Sequence, residues 1–238
     1  MTSSAEVRSS AEQRTALLAD IAEATTALLH TAARLDDPAL RAPSLLPGWT
    51  RGHVLTHLAR NADGGTRLLT GGREYPSPAA RAAAIEAGST RPAAEQLHDL
   101  RTSADRFAAA CHARPHTAWD TMLTWTTGRQ RPAWRTLPAR LSEVHLHHTD
   151  LDAGYRPHDW PAGFVTTQLA TVVSAFAGRP GVPGLRLHAT DTGRTYRLGG
   201  PGTPRAVTGP QAALLAWLTG RSDGTELAPD LPALPFLY

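Results

Sequence analysis

RLSEVHLHHTDLD, residues Arg140 to Asp152, gathers one glutamate, three histidines and two aspartates into thirteen positions. Leu137, Leu141, Val144, His148 and Leu151 recur at alternating steps of four and three, the spacing of a helix that buries one side in a bundle. Arg140, Glu143, His147 and Asp150 form a second row beside that stripe. Glu143 and His147 stand one turn apart, so their side chains can reach a common point. A carboxylate and an imidazole converging there are two ligands of a catalytic zinc or similar divalent ion, which takes three protein ligands and keeps a place for water or substrate. Measured around the helix from Glu143, His147 lies about 40° away, His148 about 140° and His145 about 200°. His147 is thus the partner of Glu143, His148 is a buried histidine satisfied by one hydrogen bond, and His145 faces solvent. A third ligand has to come from another segment.

Upstream, Leu17, Leu18, Ile21, Leu28 and Leu29 keep a helical period over Ala11 to Leu35. A loop rich in Pro and Asp follows, and Thr50 caps a second helix by accepting a bond from its first turn. That helix runs from Arg51 to about Asp63, with continuation past Gly64-Gly65 to Leu69 left open. It turns Val54, Leu55 and Leu58 inward and carries His53 and His57 four residues apart, on one face, so both remain candidate ligands. Alone, Glu143 and His147 are an ordinary i,i+4 pair worth a few tenths of a kcal/mol; the second His-x3-His helix makes them a candidate metal set.

Residues 70–90 read as a Gly- and Pro-rich loop leading into a short helix, with Tyr75, Ser77 and Arg81 as polar groups that it could present over a site. Ser89 or Thr90 caps a third helix, with Pro92 in its first turn. Leu97, Leu100, Ala104, Phe107 and Cys111 follow its buried stripe, which makes Cys111 an inert small hydrophobe. His112 to Thr136 is irregular, with Trp119, Trp125 and Trp134 and a turn at Thr127-Gly128-Arg129. The fourth helix opens with Pro138. Four amphipathic helices with one long connection form an antiparallel bundle, an architecture that commonly holds metal between facing helices.

Past Asp152 the pattern changes, with the boundary between Gly154 and Gly163. Phe164 to Phe176 is helical; Leu185 to Thr190 and Arg194 to Leu198 alternate about Thr192-Gly193 as a hairpin. A strand near Ala206 to Thr208, a helix from Pro210 to Gly220 and a proline-spaced tail complete it. The chain is expected to be α+β: a helical bundle over residues 1–155 and a small α/β domain over 156–238. Gly199 to Gly202 lacks the strand-loop-helix context of a phosphate loop.

The 238 residues suffice for two modest cores. With 41% hydrophobic and 19% charged residues the composition is that of a globular protein, and all 24 residues of the Lys+Arg count are arginine. We read this as GC-rich codon bias. A net charge of +3 with scattered arginines argues against nucleic acid, which needs a concentrated basic footprint. No run approaches a membrane span and MTSSAEVRSS has no signal-peptide core, so a cytoplasmic protein is expected. One cysteine excludes an internal disulfide and a cysteine-rich metal cluster.

LLPGWTRGHVLTHLARNAD (Leu45 to Asp63), YPSPAAR (Tyr75 to Arg81), RLSEVHLHHTDLDAGY (Arg140 to Tyr155) and TGRSDG (Thr219 to Gly224) resemble, in order and across nearly the whole chain, the mycothiol-dependent maleylpyruvate isomerase family. The resemblance implies a DinB-like four-helix bundle followed by a small α/β domain. It favours His57 over His53, so that His57, Glu143 and His147 hold Zn²⁺ or another divalent ion, and it places Arg81 at the active site. Arg73-Glu74 and Pro76 depart from the family's loop, a difference that bears on substrate choice. The implied cosubstrate is mycothiol and the implied reaction the conversion of maleylpyruvate, of the gentisate pathway, to fumarylpyruvate. Two alternatives use the same residues: a mycothiol S-transferase or detoxification enzyme acting on another electrophile, and a non-catalytic metal-containing binding module, which a fourth protein ligand such as His53 or His148 would favour.

Overall fold

A computed structural model describes residues 10–200, 204–227 and 230–235. It separates into two compact units, Met1–Gly154 and Tyr155–Tyr238. In the first, four long helices form a bundle: α1 (Ala11–Ala32), α3 (Arg51–Leu69), α5 (Ala93–Ala113) and α6 (Thr136–Asp150), joined by the one-turn α2 (Asp37–Arg41), α4 (Pro78–Ser89) and a hairpin of β1 (Met122–Thr124) and β2 (Gln130–Pro132). α3 packs on α4, α5 and α6, and α1 on α5 and α6.

Capping sets where these helices begin. Ser10 and Gln13 form a reciprocal capping box on α1. That helix stops at Ala32, three residues before the expected Leu35, because the amides of Arg34 and Leu35 bond three residues back and Asp36 already caps α2. At α3, Thr50 accepts from the His53 amide while the Thr50 amide donates to His53 Nδ1 at 3.2 Å. His53 therefore belongs to the cap. The cap expected at Ser89 or Thr90 is not made: Ser89 ends α4, and the first amide of α5, Ala93, instead donates to Asp37 at 2.7 Å. The segment read as irregular contains the β1–β2 hairpin, its turn closed at Gly128, where φ is +79°. Three-residue strands are too short to show alternation. α6 begins at Thr136, two residues ahead of Pro138.

The continuation of α3 through Gly64-Gly65 has a packing reason. A Cβ on Gly65 would stand 2.7 Å from the ring of Phe107 on α5. Gly52, at the other end of α3, lies so close to the Ser89 carbonyl that a Cβ would overlap it.

On α6 the expected stripe is buried throughout, and His148 Nε2 meets Thr31 Oγ1 of α1 at 2.8 Å. His145, expected in solvent, is instead buried. Arg140, Leu146, Thr149 and Asp150 are buried too, so this helix is enclosed on nearly every side and has no polar face for a helical wheel to identify. Burial pushes the His145 imidazole down to about 4.

The second unit holds α7 (Ala162–Phe176), β3 (Leu185–Ala189), β4 (Thr195–Leu198), β5 (Arg205–Gly209) and α8 (Gln211–Leu218). The sheet order is β4-β3-β5, with β3 antiparallel to β4 and parallel to β5. Leu185, Leu187 and Ala189 face inward along β3 and alternate with exposed Arg186 and His188. α7 packs on α8, whose first amide donates to the Asp191 carboxylate. Part of the Gly199 to Gly202 stretch and of the tail lies outside the described residues. No helix among the described residues is long and apolar enough to cross a membrane.

Two outcomes follow from this packing. Propensity alone would make Gly52→Ala stabilising by up to about 1 kcal/mol. Overlap with a backbone carbonyl reverses the sign, to a loss of about 1–3 kcal/mol and a lower Tm in thermal melts; an unchanged Tm would contradict the close approach. His145 resists protonation when folded, so its stabilising effect is complete above pH 6.5 and is lost as pH falls toward about 4. In denaturant titrations over that window, His145→Asn should flatten the decline by up to one proton's slope, about 1.4 kcal/mol per pH unit.

Candidate metal centre

His57 and Glu143 come together because α3 and α6 run antiparallel with a fixed register. Arg140 of α6 donates to the Leu58 carbonyl at 2.8 Å and to Asn61 Oδ1 at 2.9 Å, both on α3. Arg51 of α3 donates to the Leu151 carbonyl at 2.6 Å and to the Asp152 carbonyl at 3.0 Å, where the free carbonyls of α6 favour a cation. Asp152 makes this turn with a φ of +49°.

Between these two clamps His57 Nε2 lies 2.7 Å from Glu143 Oε2, and His147 Nε2 lies 3.4 Å from the same oxygen. The two imidazole rings meet edge to face, 4.3 Å between centroids. One donor atom from each of His57, Glu143 and His147 lies within 4.8 Å of the others, and among the described residues no other group of His, Cys, Asp or Glu meets the geometry of a metal cluster. Two nitrogens and one carboxylate oxygen are the donor set of a three-ligand catalytic zinc site.

Burial and neighbouring charges set the protonation of the three donors differently. Burial first, then His147, pushes His57 down to about 4, which leaves it neutral at neutral pH. Burial would raise Glu143, but His57 and the bonds from both histidines outweigh it and hold the carboxyl well below its usual range. His147 is held up against burial by its bonds to Asp150 and Glu143. Its Nδ1 meets Asp150 Oδ2 at 2.8 Å, and that aspartate is buried. A carboxylate on the far nitrogen fixes the ring so that Nε2 faces the cluster, the usual arrangement behind a metal-bound histidine.

Arg81 sits in the first turn of α4, which Ser77 caps, and its Nη2 lies 3.0 Å from His57 Nδ1. Of the three polar loop residues it alone reaches the cluster. Tyr75 is buried with its hydroxyl donating to the Arg60 carbonyl, and Ser77 is spent on the cap. His53, besides capping α3, lies 3.2 Å from Glu86. Neither His53 nor His148 joins the three donors.

Two neighbours escaped sequence reasoning. Trp49 packs its ring 5.5 Å from His57, and nothing in the spacing of PGWT foretells it. Asp150 was visible on the row of Glu143 and His147, and its i+3 step from His147 was the available signal. Cys111 lies on the buried face of α5, where burial pushes its thiol up to about 12.

The family model for the mycothiol maleylpyruvate isomerase N-terminal domain matches residues 7–152, and that for the C-terminal domain of the same family matches residues 159–236. No curated protein matches the chain. Among solved structures, the crystal structure of the mycothiol-dependent maleylpyruvate isomerase is 27% identical, aligns over 93% of each chain and gives a TM-score of 0.83. A histidine-to-alanine mutant of the mycothiol-dependent maleylpyruvate isomerase is 25% identical over 99% of this chain and 100% of that one, with a TM-score of 0.87. Matched in both of its units and aligned nearly end to end with these structures, the chain belongs to the mycothiol-dependent maleylpyruvate isomerase family of enzymes.

Proposed function

We propose that this protein is a metal- and mycothiol-dependent cis–trans isomerase, acting in the cytoplasm to convert maleylpyruvate to fumarylpyruvate, with His57, Glu143 and His147 holding Zn²⁺. The observation that carries this reading is the convergence of two imidazoles and one carboxylate with an arginine at their edge, in a chain of this family. Glu143 is already anionic and His57 already neutral, so these two donors carry the charges that a divalent ion requires. An ion held there supplies a Lewis acid that keeps a coordinated thiol in its nucleophilic thiolate form.

The chain's own thiol is unsuited to that part, because Cys111 is buried and raised to about 12. The sulfur therefore comes from a small thiol, for which mycothiol is the family's cosubstrate. Addition of that sulfur to the cis double bond forms one C–S bond and leaves a C–C single bond. Rotation about it, followed by elimination, restores the double bond as trans and returns the thiol unchanged. Arg81 holds a substrate carboxylate through its forked donors, and Asp150 keeps His147 oriented.

Purified protein assayed with mycothiol against maleylpyruvate and against a generic electrophile tests the reaction. Maleylpyruvate should be turned over with the thiol recovered, whereas stoichiometric thiol consumption on the electrophile alone would make the protein an S-transferase. His57→Ala and Glu143→Ala should lose bound metal and activity together; full turnover by metal-free protein would refute the assignment. Arg81→Ala should keep its metal while KM rises or kcat falls by about 10- to 100-fold, the worth of hydrogen bonds to a charged group.

A further inference from the structure

The two histidines of the cluster are held by opposite partners. His147 Nδ1 faces a carboxylate, Asp150, at 2.8 Å. An ionised carboxylate only accepts, so this nitrogen carries a proton whether or not a cation is bound at Nε2. His57 Nδ1 faces a guanidinium, Arg81, at 3.0 Å. A guanidinium has donors and no acceptor, so this nitrogen must accept. A neutral His57 then keeps its proton on Nε2, where it donates to Glu143 at 2.7 Å. Binding a cation leaves the His147–Asp150 bond in place, whereas His57 is set in the tautomer that does not bind one through Nε2.

For His57 to bind a cation through Nε2, the proton there must leave and one must be taken up at Nδ1, with no net change on the ring. An N–H at Nδ1 then meets the N–H of Arg81, and the contact cannot persist. Resting on the ligand set of the preceding subsection, we propose that Arg81 and the cation compete for His57: loading the site expels Arg81 from Nδ1 and frees its guanidinium for a carboxylate. The substrate clamp is thereby armed only when the site is filled. Coupling of this kind is reciprocal, so a carboxylate that holds Arg81 away tightens the cation by the factor by which the cation tightens the carboxylate.

Asp150 and Arg81 should then act on metal affinity with opposite signs. In competition with a chromophoric chelator, Arg81→Met should bind zinc about tenfold or more tightly than the native protein, having lost a hydrogen bond that loading must break. Asp150→Asn should bind it about 10- to 100-fold more weakly. Removing a nearby positive charge would also tighten zinc, so the proton on His57 is read separately by nitrogen NMR, with His57→Gln as the assignment control. In native metal-free protein Nδ1 should be unprotonated, and zinc should protonate it. In metal-free Arg81→Met that preference should be lost. A zinc-loaded protein in which Nδ1 stays unprotonated with Arg81 bonded to it, or an Arg81→Met protein with native or weaker affinity, would overturn the proposal. If the native protein takes up no zinc, the ligand assignment itself fails.

Discussion

One carboxylate oxygen on α6 can serve imidazoles from two helices only while α3 and α6 keep their register. A slip of a single turn, about 5.4 Å, would carry His57 out of reach of Glu143. Two arginines prevent it from opposite ends, Arg140 through the Leu58 carbonyl and Arg51 through the carbonyls of Leu151 and Asp152. Both bond to backbone, so they fix the helices themselves. The apolar stripe of α6 and the glycines of α3 then set how closely the neighbouring helices approach.

Within that frame, burial does the electrostatic work. It makes His57 a poor base, and the neighbouring imidazoles keep Glu143 ionised against the same burial. It also silences Cys111, so thiol chemistry at this protein depends on an external sulfur. Each of these effects favours a cation between the helices and a nucleophile brought to it. Unpaired charge in an enclosed place is costly, and both ring nitrogens of His57 and of His147 face a polar partner.

The bundle and the α/β unit were legible because their helices are amphipathic and their hairpin alternates about a Gly turn. Glu143 with His147 followed from helical geometry alone. His57 against His53 did not: the two share a face, and the resemblance to the family chose between them. The structure adds a local reason, since His53 turns back to cap α3. His145 was misread because α6 is covered on nearly all sides, whereas a helical wheel supposes one wet face. The start of α5 was misread because its first amide is capped by Asp37, a residue distant in sequence. Contacts of that kind, like Trp49 against His57, are tertiary and leave no periodic trace.

The central claim is a cation gripped by three side chains with coordination positions left for a thiol. X-ray absorption at the zinc edge of the loaded protein, with and without mycothiol, tests it most directly. The account predicts two imidazole nitrogens and one carboxylate oxygen, joined on addition of the thiol by a sulfur at about 2.3 Å. A shell closed by four protein ligands, unchanged when the thiol is added, would contradict it.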